Sequence, residues 1–255
     1  MSAPLAINAV VLSSLRYGET SKILRLATRE MGVQSAIAKG ASRPRSRFGA
    51  ALQPLSYGQG LLIPSRRSDL HTLTAFEVIH VPTGLGLALE RWVPGLVLAE
   101  LMLRFASDSP HEEAFDLLLD ALRDLEQLDP GRAGAHGLAW LWRLVSLLGW
   151  APALDACVID AVQVPHEGPL PFSALHGGVL CAVCARTHAV SMLSSADRLD
   201  LVALLDPASA PPNLDAPHEA AHRRLVARFI KAHLGEDSAL HALEFWQRLG
   251  AGAPA

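Results

Sequence analysis

The sequence predicts a multidomain α+β protein in which a small β-barrel precedes a helical region with a short insertion. Up to residue 80 the apolar residues form short runs separated by turn residues, which is typical of strands. From Thr83 onward they recur with helical spacing instead. Residues 153–190 lose this spacing and contain all three cysteines, so they are predicted to form a small separate insertion.

Five short strands are predicted in the barrel segment, each bounded by turn or loop residues. Lys39–Arg47 is a basic loop after the third strand, and Ser65–Ser68 connects the last two. Closure of the five strands into a barrel is favoured because it removes exposed strand edges. The predicted strands are 7–15, 21–28, 33–38, 52–63 and 70–79.

Helical spacing predicts six helices beyond the barrel. The first is expected to bend near Pro94, and Asp129–Gly131 breaks the second, which opens at Pro110. Apart from the second, the predicted helices are 84–106, 138–148, 195–205, 218–234 and 238–249. The predicted domains are a barrel at 1–80, a helical domain in two parts at 81–152 and 191–255, and the insertion at 153–190.

Charge is unevenly distributed along the chain. The first 80 residues hold ten Lys or Arg against four acidic residues, a net charge of +6, so the whole-chain value of −3 leaves −9 for the remainder. A positive field concentrates polyanions. The sequence therefore predicts a nucleic-acid-binding head on an acidic helical body.

The composition indicates the cellular compartment in which the protein is expected. Half of the residues are apolar, which excludes a disordered chain, and no apolar run approaches the roughly 20 residues that cross a bilayer. The first residues have no basic flank before a hydrophobic stretch, so a signal peptide is not expected. Three cysteines, an odd number, favour a reducing compartment over a disulfide framework. A cytoplasmic protein is therefore expected.

The basic loop is the candidate nucleic-acid site, because long cations that converge on one face bind phosphate chains and release counterions. Two cations on the second strand could extend the patch, and the alternative is an ordinary solvated face. Few aromatic side chains are available there for base stacking: Tyr17, Phe48, Tyr57 and Phe76. The predicted DNA-binding residues are Lys22, Arg25, Lys39, Arg43, Arg45, Arg47, Arg66 and Arg67 in the barrel segment, with Arg223 and Arg224 on the fifth helix.

The insertion carries a candidate metal site. Cys181 and Cys184 form a C-x-x-C pair, and two such pairs at this spacing would be a structural zinc signature. In the first pair, however, Asp160 stands where a cysteine would follow Cys157. Three alternatives stay open: a structural zinc ion held by Cys157, Asp160, Cys181 and Cys184; a histidine in place of the carboxylate; or a knuckle without metal. The candidate histidines are His166, His176 and His188.

A third pattern, His218-Glu-Ala-Ala-His222, matches the H-E-x-x-H motif of zinc metalloproteases. The context disfavours a protease, since Arg223 and Arg224 follow directly and cations oppose metal binding. We keep the protease as a remote alternative. There is no Gly-rich phosphate loop and no nucleophile elbow, so neither a nucleotide cofactor nor a hydrolase triad is predicted.

Taken in order, these pieces resemble the bacterial recombination mediator RecO family. The segments that carry the resemblance are Val10–Leu24, Ala38–Pro54, Leu148–Cys157 and Phe172–Cys181. The resemblance implies an N-terminal OB-fold β-barrel followed by an α-helical domain with a small zinc-knuckle-like insertion. Within that pattern Lys39, Arg43, Arg45 and Arg47 correspond to the DNA-contacting loop.

The resemblance also implies a function. Family members bind single- and double-stranded DNA, anneal complementary strands, and act with RecR and single-stranded-DNA-binding protein to load recombinase, without enzymatic activity. It implies association with the nucleoid during repair. The basic helix with Arg223, Arg224, Arg228 and Lys231 could extend the DNA path or receive the acidic tail of the single-strand-binding protein. A scaffold whose acidic body recruits proteins is the alternative.

Overall fold

A computed structural model describes residues 3–49, 51–106, 108–165, 167–234 and 239–249 of the 255-residue chain. The chain forms two compact units, Met1–Leu128 and Asp129–Ala255. Within the described residues, no helix is both long enough and apolar enough to span a bilayer. The finer division into four segments stays a prediction.

The first unit begins with a closed five-stranded barrel, so the predicted barrel is confirmed. Its strands are β1 (Leu5–Tyr17), β2 (Ser21–Thr28), β3 (Gly32–Ala38), β4 (Tyr57–Ile63) and β5 (Leu70–His80), in the order β1-β2-β3-β5-β4. Only the β3–β5 pair is parallel. β1 closes the barrel because its first half pairs with β4 and its second half with β2. A register shift between Val11 and Ser13 accompanies this change of partner, as bulges bend a strand.

The barrel core is built from alternating inward residues, among them Val11, Leu24, Leu26, Leu62 and Leu73, none of which is exposed. The long connection between β3 and β4 adds four more apolar side chains to the same core: Ala41, Phe48, Ala51 and Leu52. This connection therefore packs against the barrel core and covers one end of the barrel.

Two helices complete the first unit, α1 (Leu89–Phe105) and α2 (Glu112–Gln127). α1 begins five residues later than predicted because a single 3₁₀ turn, Leu85–Leu87, precedes it, and the helix continues through Pro94. α2 begins two residues after the predicted start at Pro110, because His111 caps it by accepting a hydrogen bond from the Ala114 N–H.

The second unit contains α3 (Pro130–Leu147), α4 (Ser195–Leu205), α5 (Ala216–Leu234) and α6 (His241–Arg248). Between α3 and α4 lies a small sheet, β6 (Leu170–Ser173), β7 (Gly178–Val179) and β8 (Ser191–Leu193), in the order β7-β6-β8. The predicted start of α3 at residue 138 was wrong. Pro130 occupies the first helical turn, where its missing N–H costs nothing, and small residues such as Ala133 and Gly134 hide the helical spacing.

Candidate nucleic-acid interface and metal centre

The basic loop is anchored at the end of the barrel by buried side chains and a backbone hydrogen bond. Its apolar residues Ala41 and Phe48 are buried in the barrel core. The Ser42 N–H donates to the Thr20 carbonyl at 2.8 Å, which ties the loop to the turn between β1 and β2. Because the buried side chains and this hydrogen bond fix the loop to the barrel, its remaining side chains point outward.

All four predicted cations of the loop, Lys39, Arg43, Arg45 and Arg47, are exposed. Gly40 has a φ of +75°, a conformation that L side chains rarely adopt, and the Arg43 side chain lies beside it. The Arg47 guanidinium lies over the ring of buried Phe48, 5.2 Å from its centroid. The loop thus combines an apolar base with a cationic outer face.

The two cations of β2 are less free than those of the loop. Lys22 Nζ donates to the Leu52 carbonyl at 3.4 Å, so it braces the β3–β4 connection. Arg25 Nη1 donates to Ser35 Oγ of the neighbouring strand at 2.7 Å. Both side chains are half-buried and lie on the strand whose first residues adjoin the loop.

Arg66 and Arg67 are exposed but distant from the basic loop along the barrel wall. Their hairpin follows β4, whose end pairs with the start of β1 at Leu5↔Leu62. The loop adjoins the other end of β1, where the chain turns into β2. The two basic segments therefore lie at opposite ends of β1.

The hairpin of β1 and β2 supplies Arg16, which the sequence reasoning did not select, and Tyr17, which it named only among the aromatic residues available for stacking. Tyr17 is 56% exposed, whereas Phe48 and Phe76 are buried in the core and Tyr57 packs edge-on against Phe115. Arg16, exposed, pairs in register with Lys22. The position of Arg16 opposite Lys22, a predicted DNA-binding residue, is the signal that could have identified it. Arg16 and Tyr17 thus add an exposed cation and an exposed ring at the end of β1, on opposite faces of the strand.

Arg223 does not belong to the interface, and this corrects the prediction. Only 7% of the residue is exposed, and its guanidinium contacts Glu219 at 2.8 Å and the carbonyls of Trp246 and Leu249 at 3.1 Å each. Arg224 and Arg228, by contrast, are exposed. Lys231 is also exposed and pairs with Glu244 at 3.0 Å.

Four predicted ligands converge in the insertion, and their ligand atoms all lie within 4.8 Å of one another: Cys157, Asp160, Cys181 and Cys184. The thiols of Cys181 and Cys184 each donate to Asp160 Oδ2 at 3.3 Å. All three cysteines are free. The arrangement fits a zinc-knuckle insertion that could hold a metal ion.

Comparison with known proteins now decides the family. A sequence model described as the N-terminal domain of recombination protein O matches residues 1–82, and one described as its C-terminal domain matches residues 87–241. The DNA repair protein RecO of Anaeromyxobacter dehalogenans strain 2CP-C is 34% identical over 251 residues, 96% of each chain. The chain belongs to the RecO family.

Further RecO relatives support the same assignment. The DNA repair protein RecO of Rubrobacter xylanophilus is 37% identical over 175 residues, 69% of each chain. That of Rhodopirellula baltica is 33% identical over 214 residues, which cover 82% of this chain and 78% of the relative. The resemblance inferred from the sequence is therefore confirmed, and membership of RecO supports a role in DNA repair.

Two similar backbone turns present the ligands in this RecO chain. The Ala161 N–H donates to the Cys157 carbonyl at 2.9 Å, and the Ala185 N–H donates to the Cys181 carbonyl at 3.0 Å. Ala161 adopts a φ of +61°, which is uncommon for a residue other than glycine. The repeated turn lets each half offer two ligands to one ion.

The electrostatics of the RecO knuckle favour a cation at its centre. Hydrogen bonds, first from the Cys157 thiol and then from the Val162 N–H, hold the pKa of Asp160 well below its usual range. The hydrogen bond to Asp160 raises the pKa of Cys184 to about 12. A divalent ion would reverse this effect, since coordinated thiols are deprotonated. Three sulfurs and one carboxylate oxygen suit tetrahedral Zn²⁺.

The histidines considered as substitute ligands are engaged elsewhere. His176 Nδ1 bonds to Ser173 Oγ at 3.0 Å, and His188 Nδ1 bonds to the Cys184 carbonyl at 2.8 Å. His166 lies outside the described residues. Asp160 is therefore the residue that completes, with the three cysteines, the group in the described residues that could hold a metal ion.

The metalloprotease alternative is wrong for this RecO chain. His218 Nδ1 bonds to Asp215 at 2.6 Å, and Glu219 pairs with Arg223 at 2.8 Å and lies against Gly134. Burial raises the pKa of Glu219, and the Arg223 charge opposes that shift. The glutamate is thus committed to an ion pair and does not face the histidines as a general base would.

Proposed function

We propose that this RecO-family chain binds single- and double-stranded DNA through the loop Lys39–Arg47 and anneals complementary strands. The observation that carries the proposal is the construction of the loop. Ala41 within the loop and Phe48 directly after it are buried in the barrel core, while all four cations of the loop are exposed. Rigid presentation reduces the entropy lost when the cations engage phosphates.

The proposed contacts are to the sugar-phosphate backbone, since flexible Lys and Arg side chains on a loop position a chain without reading its bases. Arg16 and Lys22 pair in register on one face of the β1–β2 hairpin and Arg25 lies on the other, so the hairpin adds cations on both of its faces. The exposed ring of Tyr17 offers a surface for stacking with unpaired bases. A face that binds either strand without sequence preference suits annealing.

Family membership supports the proposed partners. We propose that the chain acts with RecR and single-stranded-DNA-binding protein to load recombinase on coated DNA, and that it does so by binding alone, without catalysis. Arg224 and Arg228 on the exposed face of α5 offer a cationic surface for the acidic tail of the single-strand-binding protein. The same role implies association with the nucleoid during repair.

We further propose that the knuckle holds one structural Zn²⁺ through Cys157, Asp160, Cys181 and Cys184. Metal content of the purified protein tests this. We expect one zinc per chain in the wild type and loss of zinc after Cys184→Ala or Asp160→Ala. A wild-type protein purified without zinc that also fails to take it up would rule out the site.

The decisive experiment for the function is annealing of complementary oligonucleotides precoated with single-strand-binding protein. We expect the wild type to anneal them and the triple variant Arg43→Ala, Arg45→Ala, Arg47→Ala to lose most of this activity. The matched control removes three exposed arginines elsewhere, Arg123, Arg132 and Arg186, with the same change in net charge. The control should anneal like the wild type.

Two outcomes would overturn the proposal. Equal activity of the two triple variants would mean that total charge matters and the loop does not. Capture of RecR and single-strand-binding protein in high salt, by a chain that binds no oligonucleotide at low ionic strength, would favour the scaffold alternative.

A further inference from the structure

Three ligand-type side chains converge between α4 and α5, away from the cysteine knuckle. Asp197 and Asp200 stand one turn apart on α4, and His222 projects from α5. His222 Nε2 lies 3.7 Å from Asp197 Oδ1 and 3.8 Å from Asp200 Oδ2. One ligand atom from each side chain lies within 4.8 Å of the other two. We call this group the α4–α5 cluster.

The cluster contains buried polar atoms that nothing in the described residues satisfies. The His222 residue is 1% exposed, yet neither Nδ1 nor Nε2 has a hydrogen-bond partner there. Asp197 Oδ1 is likewise buried without a partner, although Oδ2 of the same carboxylate accepts from Ser194 at 2.6 Å. Buried polar groups almost always have partners because leaving them unsatisfied costs stability. The unpaired oxygen and the unpaired Nε2 face each other.

A cation between the three side chains accounts for the unpaired Nε2 of His222 and the unpaired oxygen of Asp197. The distances of 3.7 and 3.8 Å are too long for direct hydrogen bonds. Two ligands each about 2.1 Å from one ion stand about 3.4 Å apart in tetrahedral geometry. The observed separations thus need only a slight contraction. Two carboxylates beside one imidazole also leave negative charge that a divalent ion neutralises.

We propose that the α4–α5 cluster is a site for a divalent first-row transition-metal ion, ligated by Asp197, Asp200 and His222. One imidazole nitrogen and two carboxylate oxygens suit Mn²⁺, Fe²⁺ or Zn²⁺. The two carboxylate side chains are 22% and 25% exposed, so water can complete the coordination from that side. The site is separate from the cysteine knuckle and independent of the DNA-binding proposal.

The ion would connect two functional parts of the second unit. α4 follows β8, the last strand of the insertion, with Ser194 as its N-cap. α5 carries the exposed Arg224 and Arg228. A bond between these helices fixes the basic helix against the base of the insertion, so metal binding should raise the thermal stability of the protein.

Mn²⁺ is the first probe because it prefers oxygen and nitrogen ligands, whereas the knuckle offers thiolates. The full-length protein is freed of metal with a chelator and titrated with Mn²⁺, and free Mn²⁺ is followed by electron paramagnetic resonance. We expect one bound Mn²⁺ per chain and an increase in melting temperature. Asp200→Asn and His222→Asn should weaken this binding by about 100-fold or more.

The matched control is Asp215→Asn, an exposed carboxylate near the start of α5 that bonds to His218 and is not part of the cluster. It should bind Mn²⁺ like the wild type. If His222→Asn does not fold, Asp200→Asn still tests the site. Asp200 is partly exposed, and the amide of asparagine has the same shape as the carboxylate that it replaces.

Zn²⁺ is the second probe, used in a Cys181→Ser, Cys184→Ser background. Binding of either ion that Asp200→Asn removes and Asp215→Asn retains supports the site. The proposal is overturned if neither ion binds outside the cysteine knuckle, or if Asp200→Asn and His222→Asn bind both ions as tightly as the wild type.

Discussion

The basic loop of the barrel and the basic helix α5 carry similar cationic sequences but present them differently. In the loop Lys39–Arg47 all four cations are exposed, because the apolar residues of the same connection enter the barrel core. In α5 the neighbouring Arg223 and Arg224 lie on different faces of the helix, one buried and one exposed. The comparison shows that the local backbone geometry, and not the number of cations in a segment, decides which cations are exposed and able to bind a ligand.

Helical periodicity explains why Arg223 is buried. Three, four and seven residues further along α5 come Val226, Ala227 and Ile230, all buried, so Arg223 belongs to the apolar stripe. Arg224 shares the opposite stripe with Arg228 and Lys231. The sequence therefore contained the helical spacing that places Arg223 on the buried face of α5. Because Arg223 and Arg224 are adjacent, however, both were predicted to bind DNA.

The largest effect is expected from Glu219→Ala, which leaves buried Arg223 without its anionic partner. Burial lowers the pKa of Arg223 and raises that of Glu219, so each charge depends on the other. Removing one member of such a pair typically lowers the free energy of unfolding by about 3 to 5 kcal/mol. Urea unfolding measures the change.

The control for this prediction is Glu244→Ala, which removes the partner of Lys231. That pair is exposed on both sides, so the free energy of unfolding should change by less than about 1 kcal/mol. Equal effects of the two substitutions would contradict a structural role for Arg223. The fraction of Glu219→Ala protein that folds should bind DNA like the wild type.

The second prediction concerns the loop itself. Removing Arg43, Arg45 and Arg47 together should weaken DNA binding by about 100-fold near physiological salt, because three phosphate contacts are lost. The slope of log affinity against log salt concentration should fall in magnitude by about three. The free energy of unfolding should stay within about 0.5 kcal/mol, since all three side chains are exposed. Fluorescence anisotropy at several salt concentrations measures affinity and slope together.

Substitution of Arg224 and Arg228 by alanine separates the two regions. If this pair reduced DNA affinity as much as the loop variant, the helix would have to be part of the main DNA path. If it reduced only the capture of single-strand-binding protein, the division of labour proposed for the two basic regions would be supported.

Much of the fold could be predicted from the sequence, because the residue patterns that define single strands and turns lie within short segments of the chain. Short apolar runs between turn residues located the five strands, and β2 has its predicted bounds at residues 21 and 28, whereas β4 starts at Tyr57 and not at residue 52 as predicted. The spacing of Cys157, Asp160, Cys181 and Cys184 predicted that these residues could meet, and the structure brings them together, since each pair lies on one turn. The start of α3 was missed because Gly and Ala on its buried face carry little hydrophobic signal.

The α4–α5 cluster could not be predicted in the same way. Asp197 and Asp200 resemble ordinary acids in the first turns of a helix, and His222 stood out only as half of a protease motif. Their convergence depends on how two helices separated by a Pro-rich segment pack against each other. That arrangement is a tertiary property, which no local pattern of residues encodes.

The third prediction tests the exposed ring beside the loop. Tyr17→Ala should weaken binding of single-stranded DNA by about tenfold, because stacking of one base contributes about 1 to 3 kcal/mol. Duplex DNA, whose bases are already stacked, should bind unchanged. Leu15→Ala is the matched control, since Leu15 is 67% exposed on the same strand but has no aromatic face. Equal losses for both substitutions, or for both kinds of DNA, would contradict stacking.

The smallest effect is expected from Arg66→Ala with Arg67→Ala, although these arginines are as exposed as those of the loop. They lie at the other end of β1, so a strand bound by the loop need not reach them. DNA affinity should fall by less than about threefold, mainly through the loss of two charges from the general field. Anisotropy with a short oligonucleotide measures this. A loss with long but not short oligonucleotides would instead mean that the DNA path runs along the whole barrel, from the loop past β1 to this hairpin.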